Sequence, residues 1–307
     1  MITRLGLSLG VFAGSLLLGW WLDRRRWISP EQATASIQCT TKYLSPITLC
    51  LSFWHLAITN MQVLLLPLIG FLVAFATLLP AWGYGRWARL TPPQQGSFLV
   101  CAFFSNLGYL GAFIAFALAG ERAYGLTMVH LLYFSPCFYL LGFTIAKRLG
   151  QPTTTLSAQA GMAGGLRLSP LLGLLAGLGL SLLHVPRPTI FESVNAVLIP
   201  LSTSLYLVAI GSSLSLRLPG RWLRACLMMS GIKFLYSPLV AWGLVELFRV
   251  HELPRFVVLL QAAMPMAISP LMLPALFGID RRLTSSLLVV TTLLAIPWLL
   301  VYLPLIR

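Results

Sequence analysis

The chain has 307 residues, of which 58% are hydrophobic and 9% charged, with a mean hydropathy of +0.87. A soluble domain carries about a quarter of its residues as charge, so water is excluded as the main solvent of this one. The 21 Lys and Arg outweigh 7 Asp and Glu for a net charge of +14, but they stand singly or in threes at the ends of apolar runs. That distribution marks membrane topology and excludes nucleic acid as a partner.

A hydrocarbon core about 30 Å thick takes about 20 apolar residues per helix. Hydropathy and helix breakers give ten candidate spans: 5–22, 36–55, 60–82, 97–119, 123–146, 168–184, 190–213, 222–248, 254–277 and 283–304. The first could mimic a signal peptide, but it runs into Trp20, Trp21 and Arg24–Arg26 without a small-residue cleavage site, so a retained helix is expected. Gly6, Gly10 and Gly14 in span 1, and Gly173 and Gly177 in span 6, give small faces for close helix packing, either within the chain or in a homodimer. Lys42 in span 2 lies close enough to a span end to snorkel.

Span 4 carries Ser105-Asn106-Leu-Gly108-Tyr109-Leu-Gly111, a polar, glycine-rich patch in an apolar helix. Glycine lets the backbone unwind, and the Asn106 amide can both donate and accept. Small-residue helix packing is the plainer alternative. His130 in span 5 reads either as a proton relay or as a hydrogen-bonded packing residue. Residues 147–167, with Gln151-Pro152-Thr153-Thr154-Thr155 and Gly161, Gly164 and Gly165, read as a linker between a first five-span half, 1–146, and a second, 168–307.

Lys233 falls about eleven residues into span 8, roughly 16 Å deep at helical rise. A cation at that depth suits an anionic substrate or replaces a coupling cation, with snorkelling as the alternative. Span 9 reads Gln261-Ala-Ala-Met-Pro265-Met-Ala-Ile-Ser269-Pro270-Leu-Met-Leu-Pro274. Three prolines so close delete donors and obstruct preceding turns, which a lipid-facing helix cannot accommodate. A broken helix inside protein or against a wet cavity is expected.

The acidic residues fall at or near span ends, leaving no mid-membrane carboxylate for proton coupling, while sodium remains open through carbonyl, Ser or Asn ligands. The coupling ion, sodium or proton, is thus undecided. Cys39, Cys50, Cys101, Cys137 and Cys226 form no CxxC pair and read as small hydrophobes. Without paired carboxylates, HExxH, GxSxG or clustered Cys and His, neither an enzyme nor a cofactor is indicated.

Loops after the odd-numbered spans hold 13 Lys and Arg, against 6 on the opposite side. The positive-inside rule then puts the linker in the cytoplasm and both termini outside a cell (inner or plasma) membrane. Five spans per half is odd, so the second half enters the bilayer inverted. Matches at a near-constant offset agree: Ala117–Gly120 with Ala275–Gly278, and Pro46, Pro67 and Pro136 with Pro200, Pro238 and Pro297. The fold class expected is an all-α membrane protein of ten transmembrane helices in a 5+5 inverted repeat, interrupted in spans 4 and 9. Secondary transporters are the chief users of that plan, with the lipid bilayer as partner.

The patch at Ser105–Gly111, followed by Ala119-Gly120-Glu121, resembles the asparagine- and glycine-rich crossover of the auxin efflux carrier family. Pro200 to Leu214, Lys233-Phe-Leu-Tyr-Ser-Pro238 and Gln261 to Pro270 are similar to further motifs of that family, the last especially to PIN-type carriers. The resemblance implies a fold shared with bile acid sodium symporters, with spans 1, 2, 6 and 7 as scaffold. A mobile core would carry broken spans 4 and 9 across each other at the substrate, in elevator-type alternating access. It assigns Asn106, Gly108 and Gly111 to one crossover and Pro265 and Pro270 to the other. The family's proline beyond the last crossover glycine is Phe113 here, which leaves the unwinding of span 4 open. The expected function is transport of small organic anions or weak acids. Ser105, Asn106, Gly108, Gly111, Lys233, Gln261, Pro265, Ser269 and Pro270 form the expected site. Sodium-coupled symport of the bile acid type and a non-transporting membrane sensor are the alternatives.

Overall fold

A computed structural model describes residues 2–56, 61–151, 168–212 and 220–306. Among them the chain is helical apart from turns and one isolated antiparallel bridge. In chain order the α-helices are α1 (Ile2–Arg24), α2 (Pro30–Cys39), α3 (Ser45–His55), α4 (Met61–Ala76), α5 (Leu78–Trp87), α6 (Pro92–Phe103), α7 (Ala112–His130), α8 (Phe134–Cys137), α9 (Phe143–Leu149), α10 (Leu168–Leu182), α11 (Ile190–Gly211), α12 (Leu223–Gly231), α13 (Ser237–Leu247), α14 (Glu252–Ala262), α15 (Leu273–Phe277) and α16 (Arg281–Tyr302).

Among the described residues, five helical runs are long and apolar enough to cross a membrane: Met61–Trp87, Leu107–Leu149, Ile190–Gly211, Gly220–Leu247 and Arg281–Tyr302. Their outer faces are apolar. Leu79 and Leu239 are each 68% exposed, a surface that water would penalise and lipid accepts. The 43-residue run Leu107–Leu149 is interrupted at Gly120, whose φ of 76° and ψ of −170° lie outside the helical region. Only glycine adopts that conformation readily, and the interruption falls between the expected spans 97–119 and 123–146.

Local chemistry sets several helix ends. The Ser29 hydroxyl accepts from the Gln32 amide at 3.3 Å while Gln32 Oε1 accepts from the Ser29 amide at 2.9 Å, with Pro30 opening α2, so that helix starts before the expected residue 36. Asp280 Oδ1 accepts from the Leu283 amide at 2.9 Å and caps α16. Pro46 and Pro238 have no amide proton to give, and their rings would crowd the turn before them. In both places a wider π turn precedes the proline, Thr40–Leu44 and Ile232–Tyr236. The Ser45 amide reaches Thr40 O and the Ser237 amide reaches Ile232 O, each five residues back.

The chain forms two compact units, each drawing on both sides of residue 150. The first comprises Met1–Val63, Gly108–Met128 and Leu166–Leu214. Here α10 packs on α3 and α1 on α11. Cβ atoms on Gly173 and Gly177 would lie 2.1 and 2.2 Å from the carbonyl oxygens of Pro46 and Cys50, so the span-6 glycines do permit close helix packing within the chain. A Cβ on Gly19 would meet Val208 O at 2.0 Å, and one on Gly211 would meet Leu16 O at 2.1 Å. Gly6, Gly10 and Gly14 have nothing within 4 Å of that position. The second unit comprises Leu64–Leu107, Val129–Gly165 and Ser215–Arg307. At its centre is α6, with Phe98, Val100, Cys101 and Ala102 fully buried, packed on α5, α9 and α16. The expected linker is helical as far as Leu149, and its residues 152–167 lie outside the described residues.

Candidate functional site

Within the second unit, α6 ends at Phe103 and Phe104–Asn106 are not helical, while α14 ends at Ala262 and the chain regains helical turns only at Ser269. The two breaks pair with each other. The Asn106 amide donates to Pro265 O at 2.8 Å, the Ala267 amide donates to Phe104 O at 2.9 Å, and Ser105 and Met266 form an antiparallel bridge. In hydrocarbon each unmatched backbone group costs several kcal/mol, so each interruption satisfies polar groups that the other exposes. Proline explains why the second break falls where it does: Pro265 and Pro270 have no amide to continue a helix.

Lys233 closes this arrangement. Its side chain is fully buried, and its ammonium donates to Ala102 O at 2.5 Å, Phe104 O at 3.3 Å and Ser105 Oγ at 2.8 Å. A helix C-terminus leaves carbonyls without helical donors and carries about −0.5 of an elementary charge. The ammonium sits on that end of α6. Its three donors meet three oxygens, and the head turns inward instead of snorkelling to the surface. Thr77 Oγ1 adds a second donor to Ala102 O at 2.9 Å.

A cavity of about 10 Å³ adjoins the first break, lined by Gly70, Thr77, Ser105, His130, Tyr133, Ser237 and Gln261 together with apolar neighbours. That volume holds about one water molecule. His130 is one of the lining residues, with Nδ1 buried and without a hydrogen-bond partner, while the ring also makes a hydrogen bond to the Leu66 backbone. Gly70 lines it too and lets both rings pack close, since a Cβ there would lie 2.6 Å from Tyr133 and 2.8 Å from the imidazole.

The second unit thus brings together Ser105, Asn106, Lys233, Gln261, Pro265, Ser269 and Pro270 from the expected set. Asn106, Gln261, Pro265 and Pro270 are buried, and Ser269 Oγ is buried without a hydrogen-bond partner. Gly108 and Gly111 belong to the first unit, in the π turn Leu107–Gly111, where Tyr109 stacks on Tyr206. Non-helical backbone therefore lies at Phe104–Asn106, ahead of those glycines, and Phe113 is already in α7. Sequence reasoning missed Thr77, the Phe104 carbonyl and Ala267, whose parts are played largely by backbone. A hydroxyl in the apolar run of α4 and α5 was the available signal for Thr77.

The first unit holds a separate polar cluster. Arg187 Nη2 donates to Glu121 Oε2 at 3.0 Å, and Asn195 Nδ2 donates both to Glu121 Oε1 and, at 2.9 Å, to Ser52 Oγ. Asn195 is fully buried, and the Arg187 and Glu121 side chains are 7% and 10% exposed.

Apolar helical runs, with two helices interrupted and re-paired inside a buried polar centre, define an integral membrane protein that crosses the bilayer several times. Residues 15–155 and again 150–303 match the family described as membrane transport protein. The chain belongs to that family, the auxin efflux carrier or PIN-like family. It is also 27% identical over 240 residues to an uncharacterized transporter of Methanocaldococcus jannaschii, covering 76% of this chain and 75% of that protein.

Proposed function

We propose that the protein is a secondary carrier of small organic anions or weak acids, not an enzyme, and that substrate engages the two paired breaks. Its ten spans form two inverted five-span halves, with spans 4 and 9 crossing at the breaks. Transport proceeds by elevator-type alternating access in a cell membrane, with both termini outside and residues 147–167 in the cytoplasm.

One observation carries the reading: Phe104–Asn106 and Pro265–Ala267 expose backbone to each other deep in an apolar chain, held by Lys233. Carriers use interrupted helices because unwound backbone offers donors and acceptors at mid-membrane depth. Asn106, Gln261 and the unpartnered Ser269 hydroxyl are the groups proposed to meet the substrate. Lys233 contributes its positive charge to that field. The one-water cavity beside Ser105 is far smaller than an organic anion, so the substrate is proposed to engage the breaks outside that cavity. That each compact unit draws on both halves of the sequence supports a division into scaffold and moving core.

An unbiased flux screen tests this. Proteoliposomes containing the purified protein are loaded with a metabolite mixture, and release is followed by mass spectrometry with and without a pH gradient. Selective loss of one or more carboxylates, absent from protein-free vesicles, is expected. Release confined to neutral or cationic solutes would overturn the anion assignment.

A further inference from the structure

We infer that the Lys233 ammonium is a tethered cation occupying the seat that a cation-coupled carrier would fill with a free alkali metal ion. Three oxygens converge on Nζ: two backbone carbonyls at the end of a half-helix, Ala102 O and Phe104 O, and the Ser105 hydroxyl. Carbonyls of unwound helix and half-helix C-terminal ends are the ligands that broken-helix carriers offer to coupling cations. Here the cation arrives on a side chain. The wide turn Ile232–Tyr236 carries Lys233, and burial of the whole residue separates the seat from solvent.

The charge is not matched by a carboxylate. Among the described residues the ion pairs are Arg187–Glu121 and Arg255–Glu246, so Lys233 is balanced by dipoles, as a bound metal ion would be at such a seat. All three of its donors are engaged by the chain, which leaves it holding the break rather than gripping a substrate anion. The pairing of the two breaks therefore needs neither sodium nor potassium. This deepens the carrier reading but stands on the seat alone, so it is testable without a known substrate.

The test is thermal unfolding of the full chain in lipid nanodiscs, at equal ionic strength in sodium, potassium or N-methyl-D-glucamine chloride. The wild type should unfold at one temperature in all three. Lys233→Ala, which empties the seat, should unfold lower in N-methyl-D-glucamine and regain about 3 °C or more in sodium, potassium or millimolar n-butylammonium. Lys233→Met, whose stem still fills the space, should recover in none of them. A folded Lys233→Ala that ignores every cation, or a wild type that sodium stabilises, would overturn the inference. Should Lys233→Ala fail to fold in any salt, the wild type decides: saturable binding of radioactive sodium contradicts the inference and its absence upholds it. If the thermal pattern appears but no solute is ever carried, the seat stands and the carrier reading falls.

Discussion

The Arg187 guanidinium donates to the Glu121 carboxylate at 3.0 Å, one residue after the left-handed Gly120. Asn195 reaches Glu121 from α11, and Arg187 Nε and Nη1 are buried with no hydrogen-bond partner. Removing one member of such a pair strands a buried charge, a loss of about 3–5 kcal/mol. Glu121→Gln is therefore expected to lower the unfolding temperature sharply, and adding Arg187→Met should restore part of it. A double-mutant cycle by thermal unfolding in nanodiscs checks this, and additive losses would count against the pair.

Gly19 and Gly211 admit the backbone of the facing helix, and Gly10 faces open space. Gly19→Ala should push α1 from α11 and cost about 1–3 kcal/mol. Gly10→Ala should be neutral or stabilise by up to about 1 kcal/mol through helix propensity. Comparing the two unfolding temperatures separates packing glycines from merely permitted ones.

Gly70, which lines the cavity beside Ser105, lets the Tyr133 and His130 rings pack where a Cβ would stand. Gly70→Ala should destabilise by about 1–3 kcal/mol, the usual range for overpacking. Adding His130→Ala makes room for the new methyl and should return part of that loss, so the two changes should be non-additive. Equal losses with and without the imidazole would place the clash elsewhere.

Ser105 Oγ accepts from Lys233 at 2.8 Å. Ser105→Ala removes one of three acceptors from a buried ammonium and should cost about 1–3 kcal/mol, whereas Ser105→Thr keeps the oxygen and should cost less. Thermal unfolding of both variants discriminates lost hydrogen bonding from altered volume.

Composition alone placed the chain in lipid, because so few charges cannot clothe a soluble surface. The proline cluster Pro265–Pro274 located one break, since the missing amides are written in the residue type itself. The other break was less legible. The glycines at 108 and 111 pointed slightly too far along, while the non-helical backbone falls at Phe104–Asn106. What holds it there is the Lys233 ammonium and the backbone of Pro265–Ala267, partners more than a hundred residues away whose carbonyls and amides leave no mark in side-chain identity. Glycine spacing likewise named Gly6, Gly10 and Gly14, yet Gly19 and Gly211 make the contact between α1 and α11, because spacing does not say which face meets a neighbour. Glu121 and Arg187 looked like span-end charges. Their pairing across 66 residues follows from tertiary structure only.

Flux through Asn106 and Pro270 variants tests the carrier account most directly. With a substrate from the anion screen in hand, Asn106→Ala and Pro270→Ala are reconstituted at matched density beside Leu79→Ala, a change on an exposed apolar face. Initial flux should fall at least about tenfold in the first two, the equivalent of about 1.4 kcal/mol in the barrier, and stay at wild-type level in the third. Undiminished transport by both Asn106→Ala and Pro270→Ala would contradict the claim that substrate passes through the paired breaks.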